Sequence, residues 1–395
     1  MDLFQKCFDY TAPDELKAAG IYPFFHALES RQDIEVIMEG KRRIMLGSNN
    51  YLGLTVNEDI IQVGIDTLKQ YGTGCSGSRF LNGTLQLHLE LEKELAEFLN
   101  KEAVTTFSTG FQSNLGIISA LIGRGDYAIC DRENHASIYD ACKLSYGKML
   151  RYRHSDMEDL ERILQNVPEK AGKMIITDGV FSMGGDICKL PEIVALAEKY
   201  SARVMVDDAH SFGVLGNGGR GTADFFGLND KVDVIMGTFS KSLASLGGFM
   251  AADEKVVEYV RHNSRPFIFS ASITPASAAC ALAALRHLKA HPELVTRLIS
   301  LSDYVREGFK KRGVPIYIPD SPASTPIVPI HTYDYIRTFA VAKRLYDEGV
   351  YVNTAVPPAV APNECLLRTS YMATHNEAIL DEAMDIIARV LEEMK

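Results

Sequence analysis

The chain has 395 residues, 46% of them hydrophobic, and a formal net charge of −10 at pH 7, which predicts one large globular domain with a smaller one beside it. The negative charge argues against a nucleic acid partner but not against a polyanionic ligand. No apolar stretch approaches the roughly 20 residues of a membrane span, and the first residues lack the basic-then-apolar order of a signal peptide. Seven scattered cysteines without a Cys-x-x-Cys pair indicate reduced thiols and a cytoplasmic protein.

The N-terminal residues, 1 to 55, are predicted to form an arm with a short helix and a hairpin. The hairpin strands are Ile34–Met38 and Arg43–Leu46, joined at Glu39-Gly40. Residues 56–288 are then expected to form the large domain, and residues 289–395 a smaller C-terminal α+β domain.

The large domain alternates strand-like runs with amphipathic helical patterns. The predicted strands are Ala103–Phe107, Tyr127–Cys130, Met149–Tyr152, Met174–Thr177, Val204–Val206, Val232–Met236 and Gly248–Ala252. This alternation predicts an α/β fold with a mostly parallel, seven-stranded sheet covered by helices. Ligands bind such sheets at the carboxyl ends of the strands, and the polar clusters of this chain fall there.

Two polar segments follow the early strands. Ser108–Asn114 opens a helix, whose free amides predict an anion site. Ordinary capping by Ser108 or Thr109 is a compatible reading. His135 follows the strand that ends at Cys130, where it could stack on a flat cofactor and act as an acid or base.

Asp207 and His210 follow the next strand of interest. A carboxylate at a strand end suits a pyridinium nitrogen, whereas a metal pair would need a third ligand that no spacing supplies, and we expect no metal site. A helix-capping aspartate with a chance histidine is the other alternative.

Gly216–Gly221 matches the dinucleotide pattern Gly-x-Gly-x-x-Gly, but it does not turn directly from strand to helix. We therefore expect a glycine-rich surface loop there.

Lys241 follows the apolar run Val232–Met236 in the turn Gly237–Ser242. A strand that ends in glycine, serine and threonine brings an amine beside backbone amides and hydroxyls. Such a turn can hold a phosphate while the lysine reaches a carbonyl, as a pyridoxal phosphate (PLP) enzyme requires.

The C-terminal unit is predicted to contain a second set of strands and helices. They are the strand Thr325–Ile330, a helix over Thr338–Glu348, the strands Val350–Asn353 and Leu366–Ser370, and a closing helix. Thr374–Glu377 reads as the capping box of that helix. Arg368 suits a substrate carboxylate, although a structural salt bridge fits its position equally well.

Six blocks in order resemble the α-oxoamine synthases, a family of fold-type-I PLP enzymes. The blocks are Ser48–Leu54, Gly72–Arg79, Asn134–Ser137, Asp178–Met183, Asp207–Ser211 and Gly237–Ser242. The resemblance covers nearly the whole chain. Within the family, residues 238–249 and Phe269–Ser272 look most like the bacterial serine palmitoyltransferase branch.

The resemblance implies a role for each matching residue. Lys241 would carry the cofactor covalently, His135 would stack on its ring, and Asp207 would pair with the ring nitrogen. His210 and Ser182 would flank the phenolic oxygen. The residues implied at the phosphate are Gly110, Phe111, Thr238, Ser240 and, across a dimer interface, Ser272 or Thr274. Those implied for substrates are Arg368, at the amino-acid carboxylate, with Asn50 and Ser78.

The reaction implied by the resemblance is the decarboxylative condensation of serine with a long-chain acyl-CoA. Its products would be 3-oxosphinganine, CoA and CO2, made by a homodimer with shared sites as the first step of sphingolipid synthesis. Sister synthases that use alanine with a pimeloyl thioester or glycine with acetyl-CoA remain alternatives. A non-catalytic homologue is disfavoured by the intact Lys241, Asp207 and His135.

Three positions depart from the family pattern. Asp208 stands where the family usually has glutamate, and Gly184 replaces a usual acidic residue. Val356 occupies a position where some serine palmitoyltransferases carry a second arginine.

Overall fold

The computed structural model describes residues 2–357 and 359–395. Its strands are β1 (Glu35–Met38), β2 (Lys41–Met45), β3 (Ala103–Phe107), β4 (Tyr127–Asp131), β5 (Lys148–Tyr152), β6 (Lys173–Asp178), β7 (Arg203–Asp207), β8 (Val234–Thr238), β9 (Gly248–Ala252), β10 (Ile327–Tyr333), β11 (Val350–Tyr351), β12 (Asn353–Ala355) and β13 (Cys365–Ser370).

Helices separate most of these strands. They are α1 (Gln5–Phe8), α2 (Ala12–Ala18), α3 (Glu58–Tyr71), α4 (Gln86–Leu99), α5 (Gly110–Leu121), α6 (Ala136–Leu144), α7 (Met157–Gln165), α8 (Leu190–Lys199), α9 (Thr222–Phe225), α10 (Glu254–Asn263), α11 (Arg265–Ile268), α12 (Pro275–Ala290), α13 (Glu293–Lys311), α14 (Tyr335–Asp347) and α15 (Glu377–Glu393). Within the described ranges, no helix is both long and apolar enough to cross a bilayer.

The central sheet has seven strands in the order β3-β9-β8-β7-β6-β4-β5. Only β9 runs against its neighbours β3 and β8; the other pairs are parallel. The predicted mostly parallel sheet is therefore confirmed. The ends of β3, β4, β6, β7 and β8 consequently lie along one edge, which gathers the polar segments that follow them.

Both faces of this sheet are buried, as the continuous apolar character of its strands requires. In β7, Val204 and Val206 pack with α4, α8 and α12 on one face. Met205 points to the other face, where it packs with α5, α6 and α10. The sheet is thus a rigid platform for the loops at its edge.

Two three-stranded sheets lie outside the central one. In the first, β2 pairs antiparallel with β1 and parallel with β11, so the N-terminal hairpin joins a strand from the C-terminal part of the chain. In the second, β13 lies between β10 and β12. Their core includes Ile44 and Leu46 from the N-terminal arm. The division of the chain at residues 55 and 288 stays a prediction.

Several sequence expectations for the outer elements need correction. The predicted strand Val350–Asn353 is two strands in different sheets, because the chain changes partner at Val352. The capping box at Thr374 is wrong: Asn376 caps α15 by accepting a hydrogen bond from the amide of Ile379. The two-residue hairpin turn at Glu39-Gly40 is confirmed, with positive φ at both residues.

The glycine-rich segment 216–221 is not a simple surface loop. Gly219 and Gly221 are buried. A Cβ at Gly221 would lie 2.2 Å from the carboxylate of Asp208, so the glycine allows the loop to pack against that side chain. Close packing inside the protein therefore explains this glycine.

Candidate active site

Lys241 lies three residues after the end of β8 and is partly buried. Its amine forms no hydrogen bond or ion pair with any described residue. Burial lowers the pKa of Lys241 to about 8, the positive charge of Arg368 acts in the same direction, and the charge of Asp207 opposes them. The amine is therefore much closer to its nucleophilic, neutral form at physiological pH than an ordinary lysine.

Two carboxylates meet at the ends of neighbouring strands. Asp178 ends β6 and Asp207 ends β7, and the two residues are register partners. Burial raises the pKa of Asp178 well above its ordinary value, and the charge of Asp207 adds to this effect. Asp207 itself accepts hydrogen bonds from the side chain of Asn114 at 2.7 Å and the amide of Ala209 at 3.0 Å. No described lysine, arginine or histidine forms an ion pair with it, so it is available to a cationic partner.

A second cluster joins His210 to Arg368 through Tyr51. The Tyr51 hydroxyl lies 2.6 Å from Nδ1 of His210, and an Arg368 terminal nitrogen donates to that hydroxyl at 3.4 Å. Burial lowers the pKa of His210 well below its usual value, with smaller effects from the positive charges of Lys241 and Arg368. The buried imidazole is therefore neutral at physiological pH.

Arg368 is anchored at one edge only. Its Nε donates to the carbonyl oxygen of Ser182 at 2.5 Å. Its terminal nitrogens make only long contacts, at 3.5 Å to Ser370 and 3.4 Å to Tyr51. This leaves the forked end of a buried guanidinium, 4% exposed, with capacity for a carboxylate.

The start of α5 faces the end of β8. A Cβ at Gly110 would lie only 2.7 Å from the Thr238 hydroxyl oxygen, so glycine permits this close approach. The amides of Gly110 and Phe111 have no hydrogen-bond partner in the described chain, because they open the helix. The hydroxyls of Thr238 and Ser240 lie 2.9 Å apart beside them. Amides and hydroxyls thus converge as an oxyanion of phosphate requires.

His135 and Phe111 border the same space. Both are exposed in this chain, and their rings lie 6.4 Å apart at an interplanar angle of 78°. His135 is also the N-cap of α6, where its Nδ1 accepts from the amide of Ser137. Burial of part of the ring lowers the pKa of His135. The predicted ring-stacking residue is therefore held in a fixed orientation with an open face.

Of the remaining predicted residues, Asn50 and Ser78 have buried polar atoms without a partner, whereas Ser272 and Thr274 form hydrogen bonds. Asn50, beside Tyr51, donates to Thr55 at 2.7 Å, while its buried side-chain oxygen has no partner. Ser78 is buried and its hydroxyl also lacks a partner. Ser272 bonds to Gly77, and Thr274 caps α12. No hydrogen bond among the described residues connects Ser78, Ser272 or Thr274 with Lys241.

Sequence reasoning missed three residues of the site. Asn114 orients Asp207, Tyr51 bridges His210 and Arg368, and Asp178 lies beside Asp207. Each lies within a segment that the sequence analysis had marked. Their roles depend on partners far along the chain, so no local signal distinguished them from their neighbours.

The structure shows what surrounds each of the three residues that depart from the family pattern. Asp208 accepts from Ser211 and from the amide of Thr222, away from Lys241. A Cβ at Gly184 would lie 2.5 Å from the Asp186 carboxylate. Val356 is partly buried just after β12, the strand that pairs with β13 beside Arg368.

Comparisons with known proteins agree on the family. Residues 41–387 match the model of the family described as aminotransferase class I and II. A serine palmitoyltransferase of Sphingobacterium spiritivorum is 50% identical over 99% of this chain and 97% of its own length. An 8-amino-7-oxononanoate synthase of Thermoanaerobacter pseudethanolicus is 42% identical over 95% of both chains. A structure of serine palmitoyltransferase with a PLP internal aldimine superposes with a TM-score of 0.96 at 37% identity, covering 100% of this chain and 99% of the other.

These matches extend over the whole sheet platform and both outer sheets, and they include the residues that surround Lys241. The predicted fold type and family are confirmed. The chain therefore belongs to the aminotransferase class I and II family and, within it, to the α-oxoamine synthases, which are PLP-dependent acyltransferases.

Proposed function

We propose that this enzyme condenses L-serine with a long-chain acyl-CoA such as palmitoyl-CoA, with loss of CO2 and CoA, to give 3-oxosphinganine. This places it at the first step of sphingolipid synthesis. The observation that carries the choice of substrates is the 50% identity to a serine palmitoyltransferase over nearly the full length of both proteins.

The residues around Lys241 fit PLP. The partnerless amides of Gly110 and Phe111, with the hydroxyls of Thr238 and Ser240, suit its phosphate. Asp207 is a buried carboxylate without an ion pair in the described chain. A buried negative charge is costly unless it is paired, so Asp207 suits a protonated ring nitrogen. When bound, PLP supplies an electron sink for the carbanion formed at the amino-acid α-carbon.

The protein side chains then supply binding, orientation and proton transfer. The open face of His135 would lie against the cofactor ring, and His210 and Ser182 would approach its phenolic oxygen. Lys241 would hold the cofactor covalently and, once released from it, accept or return a proton at Nζ.

Arg368 determines how the amino acid is presented. Its forked end would bind the substrate carboxylate, while Ser182 restrains its Nε. Fixing the carboxylate fixes which bond at the α-carbon is aligned for cleavage, which is an orientation effect on rate. We further propose that Asn50 and Ser78, whose buried polar atoms lack partners in this chain, bind substrate.

The charge inventory disfavours a substrate with a second carboxylate. A pimeloyl chain ends in a carboxylate and would need a buried cation. Besides Arg368, four described cations with buried side chains already have partners: Arg43, Lys173 and Arg306 donate to backbone carbonyls, and Arg79 pairs with Glu92. Synthesis of 8-amino-7-oxononanoate remains the second candidate, because a synthase of that name is 42% identical to this chain.

We also propose a homodimer in which Ser272 or Thr274 of one subunit completes the phosphate site of the other. Support comes from the separation in sequence between Ser272–Thr274 and the phosphate-binding segment at Gly110, and from two exposed hydrophobic residues, Phe269 and Leu246. A cytoplasmic location is proposed because all seven cysteines are free thiols.

The test compares kcat/KM for serine with palmitoyl-CoA against alanine with pimeloyl-CoA and glycine with acetyl-CoA, with products identified by mass spectrometry. We expect the first pair to give the highest value and 3-oxosphinganine as product. A higher value for the alanine pair would overturn the substrate assignment and leave the PLP chemistry of Lys241 intact.

A further inference from the structure

His154 lies just after β5, and both of its ring nitrogens face carboxylates. Nδ1 is 2.9 Å from Asp131 and Nε2 is 3.0 Å from Asp186. Glu133 is the next acidic group, 3.7 Å from Nε2. A neutral imidazole can donate only one hydrogen bond, whereas an imidazolium can donate to both carboxylates. Burial opposes the charged form, but the two hydrogen bonds raise the pKa of His154 to about 10.

One of these carboxylates, Asp131, accepts hydrogen bonds from the start of the segment that leads to His135. Asp131 is the last residue of β4, and its two oxygens also accept from the amides of Glu133 at 2.8 Å and Ser155 at 2.9 Å. Asp131 is 1% exposed, so the carboxylate that receives these hydrogen bonds is itself shielded from water. The start of the His135 segment is therefore tied to the loop that carries His154.

The other carboxylate closes the tight turn Phe181–Asp186. Within the turn, the Phe181 amide donates to the Asp186 carbonyl and the Gly185 amide to the Phe181 carbonyl, both at 2.9 Å. The Phe181 ring meets the His154 ring edge to face, with centroids 4.5 Å apart. Hydrogen bonds, an ion pair and a ring contact thus hold the turn against His154.

This turn is the support of Arg368. The carbonyl oxygen of Ser182, its second residue, accepts the 2.5 Å hydrogen bond from Nε of Arg368. Gly184 lies within the same turn, and a side chain there would push against the Asp186 carboxylate, which a Cβ would approach to 2.5 Å. Glycine at this position leaves space beside the Asp186 carboxylate that faces His154.

We propose that His154 is a positioning residue for amino-acid binding: it clamps the turn Phe181–Asp186 to the end of β4, and through Ser182 it fixes the orientation of Arg368. The clamp rests on the proposed role of Arg368 at the substrate carboxylate, and its kinetic test also rests on serine as the substrate. The clamp acts on the carboxylate side of the substrate, so it affects the amino acid and not the acyl-CoA.

The test compares His154→Gln with a matched histidine. His291 is 3.0 Å from Glu293 at an exposed position, so His291→Gln removes a similar pair without touching the turn. For His154→Gln we expect KM for serine to rise about tenfold, with kcat at saturating serine and KM for palmitoyl-CoA within about threefold of wild type. His291→Gln should leave all three values unchanged.

Two further variants keep the test decisive if His154→Gln folds poorly. Asp186→Asn removes one charge of the clamp with little change in shape, and Gly184→Ala displaces the Asp186 carboxylate by contact. Both should raise KM for serine, and both should retain cofactor absorbance and a thermal midpoint near that of wild type. Unchanged KM for serine in all folded variants would overturn the proposal, as would an equal loss of both substrates' affinities.

The failure of the clamp can be separated from failure of the substrate assignment. If wild type does not turn over serine with palmitoyl-CoA, the proposed function fails. The clamp is then tested by titrating the PLP-loaded proteins with the amino acid that wild type binds best and following the change in visible absorbance. A dissociation constant about tenfold larger in His154→Gln than in wild type supports the clamp, and an equal constant refutes it.

Discussion

Asn114 offers the sharpest test of how the protein holds Asp207. Its side-chain nitrogen donates at 2.7 Å to Asp207 and at 2.8 Å to Ser137, and it is fully buried. Asn114→Ala would leave one Asp207 oxygen without its donor in a water-poor site. A hydrogen bond to a charged group contributes about 1.5 to 3 kcal/mol, so the carboxylate would lose that much stabilisation.

The predicted consequence is a weaker partner for the PLP ring nitrogen. Since about 1.4 kcal/mol is a factor of ten, we expect a loss of about 10- to 100-fold in the rate of α-proton removal. The assay is exchange of the serine α-proton with deuterated solvent, followed by NMR, because it requires no acyl-CoA. We also expect weaker PLP binding after dialysis.

The matched control is Asn263→Ala. Asn263 is an asparagine on α10 that donates only to a backbone carbonyl in an exposed setting, and its variant should exchange at the wild-type rate. Asn114→Ser is an intermediate variant that retains a shorter donor. If Asn114→Ala folded normally, kept its PLP and exchanged within twofold of wild type, the hydrogen bond to Asp207 would have no catalytic role and the reasoning would be refuted.

Three further predictions concern attachment, assembly and pH. Lys241→Ala should bind PLP without the visible absorbance of the covalent form, and persistent absorbance after dialysis would contradict the assignment. Mixing Lys241→Ala subunits with Ser272→Ala/Thr274→Ala subunits should restore activity in the mixed dimer, and free exchange without restored activity would count against shared sites. The stability that His154 contributes over His154→Gln should be fully present below about pH 6.5 and lost as pH rises through about 10, because its folded pKa is raised. Urea unfolding of both proteins across this pH range measures the loss, and a stability difference that stayed constant would contradict it.

Most of the central sheet could be predicted because its signals are local. Each strand is a short apolar run bounded by polar residues, and the observed bounds differ by at most two residues at either end. The largest difference is functional: β8 ends at Thr238, not at Met236, so the turn with Lys241 begins later than predicted. Gly237 and Thr238 read as turn residues, but pairing with β9 keeps them in the strand.

Other features depended on contacts that a local pattern does not contain. The run from Val350 looks like one strand because its apolar character is continuous, whereas β2 and β13 compete for its two halves. Likewise, Thr374 has the right spacing for a capping box, but Arg297 donates to the carbonyls of Ala373 and His375 just before α15, and Asn376 is the cap. In both cases the deciding partner is far away in the sequence.

The same long-range dependence governs the chemistry of Lys241, and it gives a prediction of its own. A pKa of about 8 leaves about a tenth of the amine neutral at pH 7, compared with about 0.03% for an ordinary lysine. Burial is the main cause, and the positive charge of Arg368 adds to it. Removing that charge in Arg368→Gln should therefore raise the pKa of Lys241. The rate at which apoenzyme captures PLP should then follow a neutral-amine profile that moves to higher pH, whereas Arg368→Lys, which keeps the charge, should shift it less. A profile for Arg368→Gln that coincides with wild type would mean that burial alone sets the reactivity of Lys241, and that the substrate-binding arginine has no second role in preparing the amine.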